Sequence, residues 1–170
     1  MADEIINRVA KSNLVSIDLE TFYTTEKRSL IDIKYWLFQE LVLKEKEFRE
    51  TLKKFDWQQY KNHHIALHCS SDAIVPTWAY MLIQTHLSGI AKTVIVGSME
   101  QLESIIYAAI INNLNLDYCT DKPVIIKGCA NKPVPKNAYL MLIQKLQPIA
   151  KSIMYGEACS SVPLTKRKKI

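Results

Sequence analysis

From residue 64 onward the chain repeats one rhythm, and that rhythm limits its possible folds more than any other feature. "HIALHC" (64–69), "TVIVG" (93–97), "PVIIKGC" (123–129) and "SIMYG" (152–156) are short apolar runs. Helical spacing fills the stretches between them, at 76–88, 99–113 and 136–148. Strands alternating with helices make βαβ units, because parallel neighbours need a crossover long enough to hold a helix. The expected fold is α/β: three layers and a mostly parallel sheet, with right-handed crossovers.

Two of these units are alike. Aligning Cys69 with Cys129, with one residue omitted before the proline, pairs Val75 with Val134 and Pro76 with Pro135. It also pairs Ala79-Tyr80 with Ala138-Tyr139, Leu87 with Leu146, Ile90-Ala91-Lys92 with Ile149-Ala150-Lys151, and Gly97 with Gly156. Apolar periodicity alone would repeat Leu, Ile and Ala, but not the cysteine, proline and glycine punctuation. The sheet is thus read as two similar βαβ units from an internal duplication.

The first part of the chain reads differently. "LVSIDLE" (14–20) alternates like a half-buried strand, and "SLIDI" (29–33) could pair with it as a hairpin across "TTEKR". Residues 33–55 have helical spacing and good helix formers, with a break near 42–44. This gives one domain: an N-terminal strand/helix extension (1–62), a parallel α/β core (63–160) and a basic tail (161–170).

Charge excludes one class of partner. The net charge is +5, but Lys166, Arg167, Lys168 and Lys169 supply four of those charges. The body carries 18 basic against 17 acidic residues, so no nucleic-acid partner is expected. The tail is expected to be solvated and frayed. No apolar run approaches membrane-spanning length, and the N-terminus lacks a long apolar signal region. A cytoplasmic protein without a membrane partner is expected, its four cysteines free thiols and not a disulfide framework.

Chemistry concentrates at the strand ends. Parallel sheets bind ligands beyond the carboxyl ends of their strands. Cys69 and Cys129 end two runs, and Cys159 lies three residues beyond Gly156. With strand order 2-1-3-4, counted from residue 64, the first two would sit on neighbouring strands roughly 5 Å apart. Together the three thiols are candidate metal ligands, with His68 and Asp72 as weaker ones. The bland alternative is that they pack as small apolar side chains. Cys119 reads as structural, and His64 and His86 as structural or surface residues. "HCSSDAIV" lacks the arginine of a phosphatase loop, and no GxGxxG, Walker A or GxSxG motif occurs. No catalytic residue is assigned.

"DIKYWLFQELVLKEKEFRE", "HCSSDAIVPTWAYML", "KGCANKPVP" and "AKSIMYGEACSSVPLTKRKK" carry a resemblance. Over nearly its whole length the chain resembles the bacterial domain-of-unknown-function family numbered 2480. Its genes often lie near iron–sulfur cluster assembly genes. The resemblance implies a transition metal or iron–sulfur species as cofactor and iron–sulfur assembly proteins as partners. The expected function is an accessory protein that handles metal, iron–sulfur or persulfide sulfur through Cys69, Cys129 and Cys159. The alternative is a non-catalytic binding module for a small anion or a protein partner, with structural cysteines.

Overall fold

The structure, a computed structural model, describes residues 13–128, 131–157 and 159–167. Its strands are β1 (Val15–Ile17), β2 (Arg28–Asp32), β3 (His64–His68), β4 (Thr93–Val96), β5 (Pro123–Ile126), β6 (Ser152–Glu157) and β7 (Ser160–Lys166). Its α-helices are α1 (Glu45–Lys54), α2 (Thr77–Leu87), α3 (Met99–Asn113) and α4 (Lys136–Leu146). Among the described residues this is a mixed α/β chain with parallel sheets and four α-helices, compatible with the three-layer class, and no barrel closes.

The strands form two sheets, with orders β2-β3-β4 and β1-β5-β6-β7. Each lies in its own compact unit. One unit is Thr24–Ile106, and the other joins the residues up to Tyr23 to those from Tyr107 onward. The central strands explain why the runs are so apolar. β3 is buried through His64–Leu67 and β5 through Val124–Ile126, because each has a parallel strand on both sides. In the first unit Phe48, Leu52, Ile65, Leu67 and Ile83 make the core. In the second, Ile17, Ile111, Val124, Leu142 and Ile153 do so.

The two similar units recur in the structure, and their register is simpler than the sequence alignment. The Asn62 N–H donates to Ile90 O at 2.8 Å, and the Asp121 N–H to Ile149 O at 2.9 Å. The N–H groups of Lys92 and Lys151 donate to His63 O and Lys122 O at 2.9 Å each. Asn62 and Asp121 both have left-handed backbones, with φ of 63° and 56°. Gly97, just after β4, and Gly156, near the end of β6, repeat the pattern, with φ of 149° and 122°, where glycine avoids the Cβ penalty. Every pair is 59 residues apart, with no omission. At that offset Cys69 falls on Gly128, so the cysteine-to-cysteine pairing came from an unnecessary gap.

Four further expectations are corrected. The strand order 2-1-3-4 does not form, and β3 and β5 belong to different sheets. The hairpin of 14–20 with 29–33 does not form either: β1 pairs with β5 and β2 with β3, all parallel. A parallel partner on a buried central strand satisfies both backbone and apolar face, which an isolated hairpin does not. The helix over 33–55 is α1 alone. Ahead of it the Asp32 carboxylate caps a 3₁₀ turn at Ile33–Trp36, and the chain reverses at 38–42. Residues 161–166 of the basic tail are strand, since β7 runs antiparallel to β6 from Ser160 opposite Glu157 to Lys166 opposite Ser152, while Lys168 and Lys169 lie outside the described residues.

Candidate functional site

Both units repeat one arrangement at the carboxyl edge of the sheet. β1 ends at Ile17, just before Asp18, and β2 ends in Ile31-Asp32. Each aspartate accepts a hydrogen bond from the N–H two residues on, Glu20 at 3.0 Å and Lys34 at 3.1 Å, and so starts a 3₁₀ turn. Parallel pairing then sets each beside a basic residue at the end of the central strand. Asp18 Oδ2 lies 3.9 Å from Lys127 Nζ, and Asp32 Oδ2 lies 3.9 Å from His68 Nε2.

The Asp32 edge is the more elaborate. Ser70 donates its N–H to Oδ1 at 3.1 Å and its hydroxyl to Oδ2 at 2.5 Å. Burial works to raise the Asp32 pKa, but these donors, the Lys34 N–H and the charge of His68 outweigh it. The carboxyl sits below its usual range. The first turn of the loop after β3 is thereby tied to the end of β2. Next to it Cys69 is half-buried, with Sγ 3.3 Å from Ser71 Oγ. Burial, and secondarily the Cys69 charge, raise the Tyr80 hydroxyl pKa.

Beyond the loop lies a groove of about 740 Å³. One wall is Asp72, Ala73 and Ile74, and the other is Leu41, Val42 and Leu43. The second wall is a tight reversal. Phe38 donates its N–H to Val42 O at 2.8 Å, and Leu41 donates to Phe38 O at 3.1 Å. Between them Gln39 and Glu40 have φ of 49° and 59°. Two successive left-handed residues make the primed turn that normally calls for Asn-Gly, and neither is present here. The turn lifts Leu41, 55% exposed, towards the solvent, while Ile74 opposite is 92% exposed.

The sequence-derived ligands fare unevenly. Cys69, His68 and Asp72 do lie at or beyond the carboxyl end of β3. Cys159 lies in the β6–β7 turn, exposed and in the other unit. Cys129 is outside the described residues. Among those described, no three His, Cys, Asp or Glu side chains are placed to hold a metal ion. Cys119 is fully buried, and that burial raises its thiol pKa. No described helix is long and apolar enough to cross a membrane. Sequence reasoning missed Asp32, Ser70 and the 38–42 turn. The repeated Ile-Asp followed by Leu19 or Ile33 was the available signal.

A family model described as a protein of unknown function (DUF2480) matches residues 3–167, and the chain belongs to that family. Comparison with curated proteins gave no match, and comparison with solved structures gave none.

Proposed function

We propose that the chain is a non-catalytic binding module for a protein partner, which it takes in the groove between the 38–42 turn and the loop after β3. One observation carries this reading. A turn with two strained non-glycine residues holds apolar side chains in solvent, facing an exposed isoleucine. Each left-handed residue costs roughly 1–2 kcal/mol, and exposing Leu41 and Ile74 earns no burial. A clustered, exposed apolar patch of this kind is what a protein interface covers. The occupant is an apolar segment with a basic residue set against exposed Asp72.

The test compares partner capture by the wild type with capture by Ile74→Asp and Leu41→Asp. A partner retained by the wild type and lost by both variants, at unchanged melting temperature, supports the reading once the purified pair re-forms. Retention by both variants removes it.

A second reading, sulfur or metal handling, has its own support in Cys69, a half-buried thiol three residues before the Asp72 that lines this groove. In that form Cys69, Cys129 and Cys159 are the ligands or sulfur carriers, and His68 or Asp72 tunes the site. Metal content after anaerobic purification and thiol alkylation of Cys69→Ser, Cys129→Ser and Cys159→Ser test it. Unchanged metal content and alkylation in all three variants exclude it.

A further inference from the structure

The offset of 59 makes β4 the counterpart of β6, and the two differ in one respect. The outer edge of β6 carries the antiparallel strand β7. The outer edge of β4 carries no strand among the described residues. An open edge is a row of unpaired N–H and C=O groups, and proteins usually guard it. β1 is three residues long. β2 has Arg28 and Asp32 at its ends. β7 has Pro163, Lys166 and a register break opposite Ile153 and Met154. β4 reads Thr-Val-Ile-Val, with no charge, proline or bulge.

Its surroundings are also apolar. An open groove of about 780 Å³ runs beside β4, lined by Tyr80 and Met81 of α2 and by Val94, Ile95 and Val96. Val96 is 57% exposed and Met81 is 64% exposed. The backbone is set for a partner. The Gly97 N–H is directed at β3, where it meets Leu67 O, and β3 and β4 pair Ile65 with Val94 and Leu67 with Val96, so alternation points the Ile95 N–H at β3 as well and turns those of Val94 and Val96 outward.

We propose that β4 pairs with β4 of a second copy of this chain. A two-fold axis makes identical strands antiparallel, which is the sense in which β7 lies on β6, and it closes the assembly as a dimer. With the axis at Ile95, the two Ile95 residues stand opposite each other as a non-hydrogen-bonded pair, and the outward N–H and C=O groups of Val94 meet those of Val96 in the second copy. Val94 then faces Val96 of the second copy, which covers the exposed valine on both sides. The two three-stranded sheets become continuous, in the order β2-β3-β4-β4-β3-β2.

Light scattering on the full chain across a hundredfold concentration range tests this. The wild type should have twice the 19.5 kDa chain mass. Val96→Lys sets like charges across the axis, and Val94→Pro removes an outward N–H. Each should restore the single-chain mass, with Val96→Lys deciding if Val94→Pro fails to fold. Val162→Lys, on the guarded strand β7, should stay dimeric. A monomeric wild type overturns the proposal, including one that pairs only with another protein's strand. So does a dimer that survives Val96→Lys, or one that Val162→Lys disrupts.

Discussion

Asp32 shows how one side chain fixes a sheet edge. Its carboxylate receives the Lys34 N–H, the Ser70 N–H and the Ser70 hydroxyl, and so ties the end of β2 to the loop after β3. Asp32→Ala leaves those donors without their acceptor and should cost about 1–3 kcal/mol, read as a lower denaturant midpoint. Ser70→Ala, which removes one donor, should cost less. His64 sets a pH dependence of its own. It is buried with Nδ1 3.0 Å from Thr93 Oγ1, among Arg28, Lys92, Glu26 and Glu103. Burial and then the Arg28 charge lower its pKa, against the pull of Glu26 and Glu103. Below about 6.5 the unfolded chain takes up a proton that the folded chain resists, so stability falls as pH drops from 6.5 through the folded value. Unfolding midpoints between pH 5 and 8 should show that slope, and His64→Gln should flatten it. A slope unchanged by the substitution would assign the effect to other groups. At this scale the sequence is partly legible. His68, Cys69 and Asp72 announce themselves by closing an apolar run. Asp32 does not, because an aspartate in an alternating strand looks like an ordinary solvent-facing residue.

At the scale of elements, propensity alone misleads between 33 and 44. "LFQELVLKEK" is full of helix formers. The chain nevertheless reverses at 38–42, because the Asp32 cap starts a short 3₁₀ turn and the next residues turn back at Phe38. Helix propensity is worth only tenths of a kcal/mol per residue, and tertiary contacts override it. The strain in that reversal can be measured. Glu40→Gly puts the one residue free of a Cβ penalty at φ 59°. It should stabilise the fold by about 1 kcal/mol after the entropy gained by the unfolded chain. The ion pair it removes, Lys34 to Glu40 at 3.9 Å, is exposed on the glutamate side and contributes little. Glu40→Val should act in the opposite direction, because a β-branched residue is poorly tolerated there. A lower melting temperature for Glu40→Gly would mean that the turn is not strained. The βαβ rhythm, by contrast, is legible because buried parallel strands leave continuous apolar runs and their crossovers leave helical spacing.

For the whole molecule, sequence shows the repeat but not its assembly. The units β3–α2–β4 and β5–α4–β6 match at a constant offset, yet each takes its first strand from the N-terminal region. β1 joins β5 across more than a hundred residues, while β2 joins the nearer β3. Both strands are apolar alternations running into Ile-Asp, so nothing in their residues says which central strand each will choose. That choice rests on long-range packing, and it produces two cores. Ile83 and Leu142 occupy the same repeat position, on α2 and α4, and both are fully buried, one in each core. Ile83→Ala and Leu142→Ala should each cost about 2–5 kcal/mol, since the vacated volume is only partly refilled. Their effects should separate in native-state hydrogen exchange. Ile83→Ala should first speed exchange at Ile65–Leu67 of β3, and Leu142→Ala at Val124–Ile126 of β5. Equal acceleration at both strands from either substitution would mean that one cooperative core spans the chain, and the two-core reading would fail.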